Sequence, residues 1–231
     1  MRLYYLTEQR WAEKILQEQR FKLSTISESN DPFELLGASV GEAKARRAFK
    51  ILHDHWTRTI GMLCTSKVWD SPVMWAHYGD KHKGVCLGFD VIGAEVHQVN
   101  YQSKRLSGLL EHVGAGQPLI EQQMRAILTT KFRDWSYERE WRMFCDLQTR
   151  DSEDGKYYLN FEPHITLREV ILGSRCSASP RDVAAKVVAS RVSVEVFKAR
   201  PAFQSFRIVR QKDEPSVFVA PKAAGFISLS P

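Results

Sequence analysis

Residues 84–91, Gly-Val-Cys-Leu-Gly-Phe-Asp-Val, constrain the fold more than any other part of the chain. The run is apolar almost throughout and lacks the alternation of a half-exposed strand. Both of its faces therefore need cover, which puts it in the middle of a sheet. Just upstream, Ser71 and Pro72 supply an N-cap and a first-position proline for a short helix. Between helix and strand lie Trp75, His77, Tyr78, Asp80, Lys81, His82 and Lys83, closed by Gly79 and Gly84. A polar loop held between two rigid elements is where sites are usually built.

The remaining pattern extends this sheet and adds helices. Residues 3–7 read as a first strand, with Thr7 capping a helix whose stripe is Trp11, Ala12, Ile15 and Leu16. Residues 21–25 alternate as a strand does, and 27–32 form a loop rich in Ser, Asn, Asp and Pro. A helix over 41–60 turns Ala48, Ile51, Leu52 and Trp56 inward, and 62–66 form a short buried strand. Strands are expected at 96–101, 138–147, 157–161 and 167–173, and helices at 119–132 and 179–190. Residues 192–199 and 205–210 read as a closing antiparallel pair. The expected fold class is α+β: one domain over 1–212 with a mixed, mostly antiparallel central sheet flanked by helices. Residues 213–231 are expected to be a loosely ordered tail.

Composition narrows the setting. With 231 residues and 43% hydrophobic side chains, the chain is long enough to bury a core without staples. Cys64, Cys86 and Cys145 lie in apolar runs, where a free thiol behaves as a small hydrophobe, and no C-x-x-C pair occurs. A reducing cytoplasm is the expected location, and no apolar run approaches a membrane span. The net charge of +6 is uneven. Residues 175–212 hold nine Lys or Arg against Asp182 and Glu195, a local balance of +7. Such a region attracts polyanions, so nucleic acid is a candidate partner beside the plain alternative of a solvated face.

Two further motifs accompany the 71–89 segment: Asn30-Asp31-Pro32-Phe33-Glu34, and Trp135-Ser136-Tyr137-Glu138-Arg139-Glu140-Trp141-Arg142. In this order and spacing the three resemble the bacterial family called domain of unknown function 2971, from about Leu3 to about Gly173. The Leu23-Ser24 strand and the Val170-Ile171-Leu172-Gly173 strand fit the same resemblance. The family name carries no chemistry, so function has to come from the residues.

On a strand, Glu138 and Glu140 would share a face with Ser136 and Arg142, leaving Tyr137 and Trp141 on the other. Two adjoining carboxylates repel, and one is expected to have a raised pKa, a poise suited to proton handling or to binding a ribose or a cation. The plainer alternative is an edge strand on which Glu140 and Arg142 form a solvated ion pair. The Glu-x-Glu string also resembles the third signature of arginine-directed ADP-ribosyltransferases. The order of first strand, helix, Ser24-Thr25-Ile26-Ser27 and later Glu-x-Glu matches that superfamily in outline. It departs where Ile26 interrupts the Ser-Thr-Ser, and where the first strand lacks His.

This resemblance implies NAD as substrate, with Glu140 at the nicotinamide ribose and Glu138 orienting the acceptor. His77 is a third catalytic candidate. Tyr4, Tyr5 and Tyr78 are candidates for stacking; Arg20, Ser24, Lys83 and Arg142 are candidates for holding the cofactor. Asp31, Glu34 and Trp75 are expected at the substrate. A toxin or phage-defence effector is the implied setting. A plainer role is open for several of these residues: Asp31 suits a turn before Pro32, and His77 suits a structural hydrogen bond.

Two rival classes stay open. Asp31, Glu34, His77, Asp80, Glu138 and Glu140 carry ligands for Mg²⁺, Mn²⁺ or Zn²⁺, as in a metal-dependent nuclease or phosphodiesterase whose basic 175–212 region holds the nucleic acid. The third class is a non-enzymatic module that binds nucleic acid or protein.

Overall fold

The computed structural model describes residues 1–29, 31–110, 113, 118–147, 155–188 and 192–221. In chain order the elements are β1 (Arg2–Thr7), α1 (Gln9–Glu18), β2 (Arg20–Lys22), β3 (Ser24–Thr25), α2 (Ala43–Thr59), β4 (Ile60–Ser66), α3 (Pro72–His77) and β5 (Val85–Val91). They continue with β6 (His97–Gln98), β7 (Asn100–Gln102), α4 (Glu121–Leu128), β8 (Thr130–Phe132), β9 (Glu140–Asp146), β10 (Tyr158–Asn160) and β11 (Ile165–Leu172). The last are α5 (Pro180–Ala184), β12 (Val194–Pro201), β13 (Ile208–Arg210) and β14 (Val217–Val219). The protein is α+β, its sheet mixed and mostly antiparallel.

By contacts the chain divides into two compact units, each assembled from separated segments. The first holds residues 1–20, 67–93 and 160–231. Its strands run in the order β13-β12-β11-β5-β1, with β14 beside the start of β12; only β11 and β12 pair in parallel. β5 is central, as its unbroken apolar pattern requires, and Val85, Cys86, Leu87 and Phe89 are fully buried. Gly84 and Gly173 are needed where this unit is tightest. A Cβ on Gly84 would lie 2.2 Å from the Thr7 carbonyl oxygen, and one on Gly173 would lie 2.2 Å from that of His82. Ser71 caps α3 by accepting the Met74 N–H at 3.4 Å. The turn that follows puts Asp80, Lys81 and His82 at φ of 46°, 52° and 71°. It is closed by the Gly84 N–H donating to the Gly79 carbonyl at 2.8 Å.

The second unit holds residues 21–66 and 94–159. Its antiparallel strands run β3-β4-β9-β6, and β7 pairs in parallel with β8. Ile26, Leu35, Phe49, Trp56, Met62, Ile127 and Leu128 form its core.

Several elements differ from their sequence reading. The helix expected over 119–132 stops at Leu128 because Thr129 and Thr130 turn their hydroxyls back onto the Arg125 and Ala126 carbonyls, at 2.8 and 2.7 Å. Residues 133–138 form a 3₁₀ helix, and Arg139 takes a left-handed conformation (φ 45°), so the strand begins at Glu140 and leaves Glu138 outside it. Glu8, with no side-chain cap bond, takes the position expected for Thr7. Ile51 is 71% exposed where burial was expected, and Phe49 takes the inward place. The expected tail supplies a strand, Val217–Val219 against Val194–Val196. The helix expected over 179–190 ends at Ala184, and positions 189–191 and 222–231 lie outside the described residues, as does Asn30.

Candidate functional site

The second unit gathers four of the predicted residues, with one that was not predicted, into a network of charges. Glu34 follows the Asp31 turn, Lys131 lies on β8, Glu138 ends the 3₁₀ helix, and Glu140 and Arg142 lie on β9. All five are less than a tenth exposed, and Arg142 is fully buried. The Arg142 guanidinium grips Glu140 with two bonds, Nε to Oε1 at 2.7 Å and Nη2 to Oε2 at 3.0 Å. Its Nη1 reaches Glu34 Oε1 at 2.7 Å and donates to the Leu128 carbonyl at 2.8 Å. Lys131 Nζ sits between the two glutamates of the Glu-x-Glu string, 2.6 Å from Glu138 Oε2 and 3.1 Å from Glu140 Oε2. It lies 3.8 Å from Glu34 and 5.0 Å from the centre of the Trp135 ring.

Backbone bonds fix these groups in turn. The Ser66 hydroxyl donates to the Glu138 carbonyl at 2.6 Å, and the Glu140 N–H donates to the Tyr101 hydroxyl at 2.8 Å.

The electrostatics follow from this cage. Burial alone would push the Glu140 carboxyl up. The charge and hydrogen bonds of Arg142, then Lys131, outweigh it and hold the group down at about 2. Of the two neighbouring carboxylates, one of which was expected to have a raised pKa, Glu140 is held down, because a cation stands between them. Burial would also lower the Lys131 pKa, but the three glutamates raise it. Burial and then the charge of Glu140 push the Tyr101 hydroxyl up from its ordinary value, although it accepts the Glu140 N–H. Three carboxylates against two cations leave the network one formal negative charge.

Cys64, like Lys131, is a residue that sequence reasoning missed. It lies on β4 directly opposite Arg142 on β9, and its thiol is hydrogen-bonded to Glu140. Leu63, Thr65 and Ser66 beside it are buried, yet Cys64 is exposed. Burial and the Glu140 charge keep its pKa well above the usual thiol range. Cys64 thus keeps accessible surface while its thiol is packed against the charge network through Glu140. The apolar run around Cys64 gave no signal of this. A sequence signal did exist in the alternation that puts Cys64, Ser66, Glu140 and Arg142 on one face of paired strands.

The other predicted residues have different fates. Asp31 is buried and accepts the Phe33 N–H at 2.8 Å, the turn role rather than a substrate contact. Arg142 was expected at the cofactor, and the alternative made it a solvated partner of Glu140; it is neither, being engaged on every side. Trp75 was expected at the substrate but is fully buried, with its Nε1 donating to the Trp69 carbonyl at 2.6 Å. Ser24 is half-buried on β3, opposite Met62 of β4.

In the first unit, His77 is exposed at the end of α3 and meets the half-buried Tyr78 edge to face, with ring centres 6.2 Å apart. Lys83 is exposed, and Arg20 pairs with Glu18 at 2.9 Å. Tyr4 and Tyr5 are half-buried neighbours on β1. Burial, then the charge of Glu169, pushes the Tyr4 hydroxyl up to about 12.

The donor set suits a divalent cation poorly. Glu34, Glu138 and Glu140 each already accept from an ammonium or a guanidinium. Among the described residues no group of three or more His, Cys, Asp or Glu is arranged to hold a metal ion. No helix is long and apolar enough to cross a membrane among those residues.

Residues 74–143 match the family model described as Protein of unknown function (DUF2971). The match covers the end of α3, the turn after it, β5 and the whole Glu-x-Glu segment, and it leaves out the Asn30–Glu34 motif. No curated protein and no solved structure matches the chain.

Proposed function

We propose that the protein is an ADP-ribosyltransferase-like enzyme that breaks the nicotinamide–ribose bond of NAD, with Glu140 as the carboxylate facing the developing charge. One observation carries the reading. Cys64, hydrogen-bonded to Glu140, is exposed, so accessible surface lies one hydrogen bond away from a carboxylate that is itself buried.

The chemistry asks for a fixed negative charge beside an incipient cation. When the C1′–N bond of NAD breaks, its electron pair leaves with nicotinamide and neutralises the pyridinium ring. The ribose C1′ gains oxocarbenium character. An acceptor hydroxyl, amine or water then bonds to C1′ and gives its proton to solvent. Glu140 stays ionised throughout the physiological range, and Arg142 and Lys131 hold it in one orientation, so it needs no reorganisation as charge develops. The formal excess of one negative charge favours a cation arriving there. A metal-dependent nuclease is supported less well, because the same carboxylates already bind Lys131 and Arg142.

The test is nicotinamide release from NAD by the full chain, with and without candidate acceptors. Glu140→Gln keeps the size of the side chain and removes its charge. Turnover should fall by about 100-fold or more. NAD should also slow alkylation of Cys64 by an uncharged maleimide in the unaltered protein, a readout that does not depend on turnover. Full activity in a folded Glu140→Gln variant would remove Glu140 from the mechanism. Absence of both turnover and protection would sink the reading.

A further inference from the structure

The first unit contains a cleft of about 530 Å³ that none of the network residues touches. Tyr4, Lys67, Trp69 and Asp70 line one side, and Arg207 and Arg210 the other. The second wall belongs to β13 and to the connection that leads into it from β12. It is tied to the first by the Ile208 N–H donating to the Asp70 carbonyl at 2.8 Å, and closed on itself by the Ala202 N–H on the Arg207 carbonyl at 2.9 Å. At the lip of this hairpin two phenylalanines stand in solvent, Phe203 at 87% and Phe206 at 98% exposure. Exposed rings of this size on a backbone this well tied need a reason.

We infer that this cleft and its hairpin lip bind single-stranded nucleic acid. Three observations converge on that ligand. First, two aromatic rings are flanked by cations along the hairpin: Arg200, whose guanidinium lies 4.0 Å over the Phe203 ring, then Phe203 and Phe206, then Arg207. Base faces stack on such rings, and phosphates meet the flanking cations.

Second, the cations differ in how firmly they are held. Arg210 is fixed by a two-pronged pair with Glu195 and by the Phe197 ring 3.9 Å away, so it shapes the wall. Lys67 donates only to the Arg2 carbonyl at 3.2 Å and has no carboxylate partner among the described residues. Arg207 holds Asp70 across the rim through Nε at 2.8 Å and through Nη2, but its side chain is 67% exposed, and ion pairs in solvent contribute little and are screened by salt. Third, the volume suits one nucleotide, and the two phenylalanines outside it suit the next bases of a strand. A duplex hides its base faces and offers nothing for those rings to stack on.

This site needs neither NAD nor Glu140, so it stands or falls apart from the proposed reaction. The experiment is fluorescence anisotropy of the full chain with labelled twelve-nucleotide oligo(dT) and oligo(U), with a duplex of equal length and ATP as competitors. Single strands should bind and the duplex should compete poorly. With Lys67, Arg200 and Arg207 at phosphates, the slope of log K against log salt should be about −2. Phe206→Ala and Phe203→Ala, both at exposed positions that leave the fold alone, should each weaken binding about 5- to 150-fold. Lys67→Ala should weaken every sequence alike and flatten the salt slope, and Glu140→Gln should leave binding unchanged. No binding at low salt would overturn the inference. So would full binding by the Phe203→Ala, Phe206→Ala double variant, or ATP competing as well as the oligonucleotide mole for mole.

Discussion

The network of the second unit and the lip of the first use the same kinds of side chain to opposite ends. In the network, Arg142 and Lys131 are buried and every charge faces its opposite within hydrogen-bond reach. At the lip, Lys67 and Arg207 are exposed; Lys67 reaches only a backbone carbonyl, and Arg207 pairs with Asp70 in solvent. Burial makes the difference. A charge taken from water must be matched at once, so the groups of the network are committed to each other. A charge left in water remains available to whatever arrives. The network therefore holds one oriented carboxylate beside an exposed cysteine, whereas the lip carries its cations in solvent.

Removing one member of each set gives the largest contrast. Arg142→Leu would strand Glu140 and Glu34 in the protein interior without their guanidinium. The expected loss is about 3–5 kcal/mol of unfolding free energy, read from urea denaturation. A cost near zero would mean that the network relaxes into water and is not the closed cage described here.

Acid sharpens the same contrast. The folded state holds Glu140 at about 2, below its ordinary value, so the group stabilises the fold at pH values above its unfolded pKa. That contribution fades as pH falls from about 4.5 toward 2, where the folded carboxylate at last takes its proton. The amount at stake is on the order of 3 kcal/mol. Denaturation midpoints measured from pH 6 to pH 2 should fall in the unaltered protein, and less steeply in Glu140→Gln. Equal slopes would show that other carboxylates carry the acid transition.

What was legible in the sequence is what neighbouring residues decide among themselves. The central strand at 85–91 and the Ser71-Pro72 helix start are local patterns, and both formed as read. Ser71→Ala should accordingly cost α3 about 1 kcal/mol, seen as a small drop in thermal midpoint. The meeting of Glu138 with Glu140 was also legible, since they lie two residues apart. The sign of the Glu140 shift was not, because it depends on Lys131, delivered by another strand, and on Arg142 pointing inward. A string of letters does not say whether an arginine faces water. The same blindness hid Cys64, whose apolar neighbours announced burial while the residue itself kept accessible surface. It also hid the cleft, whose walls lie more than 130 residues apart in sequence.

The smallest expected effect tests the premise of the lip. Arg207 and Asp70 make an ion pair with the arginine mostly in solvent. Such pairs couple by about 0.2–1 kcal/mol, and salt weakens them. A double-mutant cycle of Arg207→Ala and Asp70→Ala, followed by urea unfolding at 50 mM and 500 mM salt, should return a coupling in that range that shrinks as salt rises. A coupling above about 2 kcal/mol that ignores salt would mean that Asp70 holds Arg207 as firmly as Glu140 holds Arg142. The guanidinium would then have no freedom to leave its partner for a phosphate, and the contrast between committed and available charge would fail at the lip.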